Sequence, residues 1–397
     1  MKHPVMLIVD GLGLSGKTKA LVDLACGLDP ERYQPCVVCF KEEKSPLAEV
    51  LRGRNIRLIE VPIREALSPV NLWRLVQVIR QERPEIVHCY NPRAMLYGGL
   101  AARLCGIRAV IGSLSAFACL VPDQEYDFLP QPLATVSHRN RQRNRFVAGL
   151  VRCIAVVSSR LGERFCAYNG IDPAKLRLVP YGVPAGAPPD SPERLENRRK
   201  TRERLRILES DIVVGSVSRL IEQKDYITQL RGFAQALAAE PRLRMLLVGD
   251  GPLRGSLDDL AVQLGIRHRV DFLGYRADTV DLYHAMDVFA LCSKFEPLGI
   301  AVLEAKANGV PILCAAVNEL PEILSYGASG RLFEATSAAG FAAGLLELVR
   351  NPEDSARIAM SAFREAKERH GLSAMIQSYE RLYAEILPSG GDRTARY

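Results

Sequence analysis

Two glutamates stand eight positions apart in Phe295-Glu296-Pro297-Leu298-Gly299-Ile300-Ala301-Val302-Leu303-Glu304. One sits on a glycine-containing loop and the other in the helix that follows. Backbone N–H groups at that helix start, those of Gly299 and Ile300 among them, would form an anion site beside a carboxylate able to accept sugar hydroxyls. Upstream, Val214-Gly215-Ser216-Val217-Ser218-Arg219-Leu220-Ile221-Glu222-Gln223-Lys224 ends a strand with two cations five apart, Arg219 and Lys224. The carboxyl end of a parallel strand is where an α/β sheet binds phosphorylated ligands, and two cations there could neutralise a departing diphosphate. Each pattern by itself also fits a solvated, charged surface.

A third candidate is the opening turn Gly11-Leu12-Gly13-Leu14-Ser15-Gly16-Lys17-Thr18, which matches the P-loop pattern between a strand and a helix. A P-loop nucleotide hydrolase or kinase is therefore an alternative. Against it, no later strand offers an apolar run ending in an aspartate suited to magnesium, Asp250 being the nearest. His88, at a strand end, is a candidate for a role near a reacting group.

These residues need a scaffold, and the chain supplies one twice. The first half alternates strand and helix patterns: Val5 to Val9, a helix carrying Ala20, Leu21, Leu24, Ala25 and Leu28 at helical spacing, then Ile56 to Ile63, Leu72 to Arg80, Glu85 to His88, Arg93 to Leu104, Ala109 to Ile111 and Ile154 to Val157. The second half repeats this with strands at Ile212 to Val217, Met245 to Val248, Val270 to Leu273, Val288 to Cys292 and Val310 to Cys314. Such alternation predicts parallel sheets covered by helices on both faces, hence an α/β protein with two Rossmann-like domains. Prolines 184, 188, 189 and 192 and the charged run Arg194 to Arg204 read as a linker. The expected division is 1–183, linker 184–205, 206–370, and a final helix over 371–388.

With 397 residues, 48% hydrophobic and 24% charged, the chain is an ordinary globular protein of two-domain length. Ten scattered cysteines suit a reduced compartment, and Cys36 and Cys39 of the CxxC lie on one strand pattern rather than in a metal or redox motif. No metal-ligand cluster is present in the sequence. The opening Met1 to Pro4 and its short apolar strand lack a signal-peptide core, and no apolar stretch reaches membrane-spanning length. A cytoplasmic chain is expected. Residues 1–183 carry 25 Lys+Arg against 16 Asp+Glu, while the rest carries 27 against 29. The basic front half, with Arg139, Arg141, Arg143 and Arg145 in one run, suggests an anionic surface or acceptor, peripheral on the inner face of the membrane.

Taken in order, the strand-Ser-Arg-Leu-x-x-x-Lys segment, Leu247-Val248-Gly249-Asp250-Gly251-Pro252, Val270-Asp271-Phe272-Leu273-Gly274-Tyr275, the Glu296 to Glu304 segment and Asn308-Gly309-Val310-Pro311 resemble the group-one (family four) retaining glycosyltransferases of GT-B architecture. The resemblance continues more thinly through Ile86-Val87-His88, Ala155-Val156-Val157-Ser158 and Val179-Pro180-Tyr181-Gly182-Val183. It implies two domains facing each other across a cleft, with the donor on the second and the acceptor on the first. It implies that Arg219 and Lys224 hold the diphosphate of a nucleotide-sugar donor, UDP-sugar by family frequency. Glu304 would bind the ribose hydroxyls and Glu296 would sit against the transferred sugar. Gly16, Gly299, Ile300 and Tyr275 complete the implied donor site, with Lys17 as an additional contact. No cofactor or metal is expected, because the two cations take the metal's place. The acceptor would be a polysaccharide, lipid-linked or small-molecule sugar, with no role for nucleic acid. The family usually has His-Gly after the fourth strand; here Ser115-Ala116 stands there. Either His88 substitutes or the acceptor geometry differs, and a silent sugar-nucleotide binder stays open as a third reading.

Overall fold

Five consecutive side chains of the first strand, Val5 to Val9, are wholly buried. A strand apolar on both faces must be covered on both faces. The computed structural model, which describes residues 2–13, 16–41, 44–63, 68–114, 138–296 and 298–387, without the side chains of 17 and 138–140, shows how. In unit 1 the strands are β1 (His3–Val9), β2 (Tyr33–Cys39), β3 (Arg57–Glu60), β4 (Ile86–Tyr90), β5 (Val110–Leu114), β6 (Cys153–Val156) and β7 (Leu176–Leu178). They form one parallel sheet in the order β3-β2-β1-β4-β5-β6-β7. β1 pairs with β2 through Val9 and Cys39 and with β4 through Val9 and Tyr90.

Unit 2 repeats the plan with β8 (Ile212–Val217), β9 (Leu243–Val248), β10 (Val270–Gly274), β11 (Val288–Leu291), β12 (Ile312–Ala315) and β13 (Arg331–Phe333), in the order β10-β9-β8-β11-β12-β13. Both are Rossmann-like sheets. In each, the strand order reverses beside the first strand, between β1 and β4 in unit 1 and between β8 and β11 in unit 2. Ligands of such sheets bind outside the carboxyl ends at that reversal.

Unit 1 comprises the chain up to Gly182 and again from Leu372; unit 2 runs from Val183 to Gly371. The helix Leu372–Ile386 thus belongs to the sheet of the first half. Its Glu380 accepts the Asp29 N–H at 2.8 Å, and its carbonyl accepts Tyr33 Oη at 3.2 Å. Arg177 pairs with Glu385 at 2.6 Å. Segment 184–205, expected as a linker, contains the helix Pro192–Arg204, an integral part of unit 2. Arg194 donates to the carbonyls of Asn308 and Gly309, and Arg202 to those of Ala285, Leu208 and Asp211. These arginines satisfy carbonyls that would otherwise be orphaned at helix and loop ends.

His88 is wholly buried under the last helix. One ring nitrogen, Nδ1, meets Tyr383 Oη at 2.8 Å, and Nε2 meets Ser113 Oγ at 2.7 Å; that hydroxyl in turn meets Tyr379 Oη at 3.1 Å. Burial lowers the His88 pKa to about 3. A depressed histidine contributes stability that is complete above the unfolded value near 6.5 and is lost as pH falls below it. Unit 1 is expected to lose about 2 kcal/mol between pH 7 and pH 5 from this group alone. Urea unfolding followed at Trp73, the single tryptophan, checks this; an equal pH dependence in His88→Gln would sink it.

Candidate active site

Three loops interlock at the carboxyl edge of the unit 2 sheet. Ser218 N–H donates to Val248 at 3.0 Å, Leu220 N–H to Asp250 at 2.9 Å, Leu253 N–H to Leu220 at 3.1 Å and Gly249 N–H to Gly274 at 2.8 Å. Gly249 has φ +130°, and a Cβ there would lie 2.0 Å from the Ser218 carbonyl. Only glycine permits that approach. The clamp fixes where the loop after β8 carries its cations.

Arg219 projects into solvent from this loop and makes no ion pair among the described residues. Lys224 ends the 3-10 turn Glu222–Lys224 and is nearly buried. Its ammonium is bonded to Glu296 Oε2. The loops after β8 and β11 are joined again by Lys294 N–H to Gln223 O at 2.9 Å and Gln223 Nε2 to Phe295 O at 2.8 Å. The strand reversal therefore brings Lys224 and Glu296, 72 positions apart, into one ion pair.

Glu296 is held on every side. Ser293 Oγ donates to its Oε2 at 3.2 Å, Gly299 N–H to its Oε1 at 3.3 Å, and its own N–H donates to Asn318 Oδ1 at 3.0 Å. Gly299, at φ +65°, caps the helix Ile300–Ala307, and a Cβ on it would fall 2.5 Å from Leu320 Cδ2. Of the two N–H groups expected to receive an anion, that of Gly299 is thus engaged by Glu296. Glu304 lies in the same helix, half-buried, its Oε2 accepting from Tyr283 Oη at 3.0 Å. Tyr275, just beyond β10, is exposed.

The other sequence candidates lie in unit 1. Gly16 opens the helix Gly16–Gly27, its carbonyl accepting Tyr181 Oη at 2.7 Å. Thr18 Oγ1 donates to the Gly13 carbonyl within the same turn, whereas a P-loop needs that hydroxyl on a metal ion. The Lys17 side chain, Ser115 and Ala116 lie outside the described residues. His88 has both ring nitrogens occupied by protein hydroxyls in the interior, which corrects its expected place at the reacting centre. Ser293, Tyr283 and Asn318 were not singled out from sequence. Asn318, at φ +47°, carries the one legible sign, since asparagine tolerates that backbone. Among the described residues no three His, Cys, Asp or Glu side chains are grouped to hold a metal ion. No helix among them is long and apolar enough to cross a membrane.

Comparison with known proteins identifies the family. Residues 197–365 match the family model for glycosyl transferases group 1, and residues 15–187 match that for Glycosyltransferase Family 4. The chain belongs to the group 1 glycosyltransferases. This group 1 chain is 31% identical over 172 residues to the lipopolysaccharide core biosynthesis glycosyltransferase LpsE of Rhizobium meliloti, covering 43% of the chain and 49% of LpsE. It is 25% identical over 308 residues to the Escherichia coli UDP-Gal:alpha-D-GlcNAc-diphosphoundecaprenol alpha-1,3-galactosyltransferase, covering 73% of each. The chain spans about half the length of the first curated relatives it matches. In fold it is similar to Anabaena HepE in complex with UDP and glucose, with a TM-score of 0.79, 20% identity and coverage of 96% of this chain and 100% of that one. It is also similar to WaaG, a glycosyltransferase involved in lipopolysaccharide biosynthesis, at a TM-score of 0.68 with 16% identity over 97% of this chain and 100% of WaaG. The fold is GT-B, with two Rossmann-like domains.

Proposed function

We propose that this protein is a retaining, metal-independent glycosyltransferase that moves a sugar from a nucleoside-diphosphate sugar, a UDP-sugar foremost, to a carbohydrate or lipid-linked acceptor in polysaccharide or glycolipid synthesis. The observation that carries the reading is the Lys224–Glu296 pair at the strand reversal of unit 2, with Arg219 and Glu304 on elements of the same edge. In this reading Arg219 and Lys224 receive the diphosphate and stabilise its charge as the glycosidic bond breaks. Glu304 takes the ribose hydroxyls with Tyr283 behind it, Glu296 faces the transferred sugar, and Ile300 N–H, Gly299 and Tyr275 complete the donor contacts of unit 2. The acceptor binds unit 1, whose basic excess suits work at the inner, anionic face of a membrane. His88 serves the interior of unit 1 in this reading.

Thermal unfolding with a panel of nucleotides, with and without magnesium, tests the proposal. UDP at 100 times its dissociation constant should stabilise the fold by about 2.7 kcal/mol. The shift should appear without magnesium and vanish in Arg219→Ala combined with Lys224→Ala. Stabilisation only by a nucleoside triphosphate with magnesium, abolished by Lys17→Ala, would overturn it in favour of a P-loop enzyme.

A further inference from the structure

In unit 1 the strand reversal lies between β1 and β4, whose flanking helices take opposite faces. Gly98 of the helix Pro92–Leu104 meets Cys89 of β4, whereas the neighbouring His88 faces the helix Leu372–Ile386 on the other side. Gly27, closing the helix after β1, packs on Ile376 of that same last helix. The carboxyl edge of β1 and β4 is thus the ligand crevice of this sheet.

Two side chains at this edge carry hydrogen-bond donors without acceptors among the described residues. Asn91 follows β4 directly, with 8% of its surface exposed, at φ +105° and ψ 160°, a region that side chains other than glycine rarely occupy. Its Oδ1 accepts the Ala94 N–H at 2.9 Å, which fixes the amide the other way round, with Nδ2 as the free end. That Nδ2 is buried and has no acceptor among the described residues. Two positions on, Arg93 gives one terminal N–H to the carbonyl of Ile63, a residue bonded in turn to Phe40 beyond β2. Its Nε is likewise buried without an acceptor. Buried donors are almost always satisfied, and strained backbone concentrates at sites of function.

We propose that Asn91 Nδ2 and Arg93 Nε form an acceptor subsite that takes hydroxyl oxygens of a carbohydrate, an inference that rests on the glycosyltransferase reading. Both groups donate, so their partner is an oxygen. Asp10, one position beyond Val9 on the adjacent strand, brings a carboxylate to the same edge and a charge opposite to that of Arg93. An edge that joins donors to a carboxylate, with Arg93 and Asp10 of opposite charge, suits hydroxyl groups, which accept and donate at once, better than a phosphate.

The full-length protein is tested with methyl glycosides of glucose, galactose, mannose and N-acetylglucosamine and with inorganic phosphate, by saturation-transfer NMR with and without UDP. Asn91→Asp keeps the oxygen that caps the helix but turns the Nδ2 donors into an acceptor oxygen with a negative charge; Arg93→Lys keeps the charge and a donor for Ile63 while deleting Nε. The expected result is saturable binding of at least one glycoside by the wild type, weakened about tenfold or more in each variant, with the UDP thermal shift intact. Equal glycoside affinity in wild type and both variants overturns the subsite. So does binding of phosphate alone, or of no probe. Should one variant fail to fold, the other decides. Loss of the UDP shift in the wild type, with variant-sensitive glycoside binding retained, would sink the donor reading and leave this subsite standing.

Discussion

Glu296→Gln is expected to lower sugar transfer by about a hundredfold or more while nucleoside-diphosphate affinity stays unchanged or rises. The carboxylate receives Lys224, Ser293 Oγ and Gly299 N–H together. Glutamine keeps the shape but loses the charge, and its NH2 end must face one of those donors. In the reading proposed here the lost charge lies against the transferred sugar, where positive character develops as the bond to the diphosphate breaks. Diphosphate binding responds differently, because Lys224 loses its internal counter-charge and is left for the ligand. Glu304→Ala should show the opposite split, weakening donor binding by about 2 to 4 kcal/mol through lost hydrogen bonds to ribose. Steady-state kinetics beside UDP titrations separate the two. If Glu296→Gln lost UDP affinity and turnover in equal proportion, Glu296 would have no place at the reacting sugar.

The residues proposed for the donor stand where a parallel sheet announces its own ligand edge. The strand Ile212–Val217 is mostly apolar, and the first cations after it, Arg219 and Lys224, stand in the loop at its carboxyl end. Glu296 was singled out differently, by its eight-residue spacing to Glu304 across a glycine-containing loop and the helix that follows. What could not be read was partnership across distance. His88 looked like a polar group at a strand end, and its burial depends on Tyr383, 295 positions later, folding back over β4. The charged run from Arg194 to Arg204 read as a linker because composition weighs charges without the carbonyls that receive them. Arg194 is in fact buried deeply enough to lower its pKa to about 10, its guanidinium facing the carbonyls of Asn308 and Gly309. Short edge strands such as β7 and β13, three residues each, carry too few side chains to show a period. Asn91 gave no sign at all, since an Asn before a proline reads as an ordinary turn and helix start.

Lys306→Ala is expected to destabilise unit 2 by about 3 to 5 kcal/mol, the typical cost of breaking a buried ion pair from one side. Lys306 is wholly buried, and its ammonium donates to Ile323 O at 2.6 Å, Ser329 Oγ at 3.3 Å and Glu365 Oε2 at 2.9 Å. All three donors are used. Burial pulls the Lys306 pKa down against the pull of Glu365; burial pushes Glu365 up, but its bonds from Lys306, Ser329 and Ser325 prevail and hold it low. The lysine bears more of the desolvation because Glu365 keeps 20% of its side chain exposed. Removing the lysine leaves a carbonyl and a carboxylate facing a cavity, so the loss exceeds that of the pair itself. Glu365→Gln should cost less, since its amide oxygen still accepts from Lys306 and solvent reaches the rest. Lys306→Met combined with Glu365→Leu should recover much of the loss, because two apolar chains need no partners. Lys306 also ties the helix Ile300–Ala307, which bears Glu304, to the helix Pro352–Arg369. Urea unfolding of the single and double variants measures the stability terms, and UDP titration below the transition isolates the positional one. A Lys306→Ala protein as stable as wild type would mean that the pair contributes nothing beyond its own desolvation; a stable double variant with weakened UDP binding would show that the tie positions Glu304 rather than merely holding unit 2 folded.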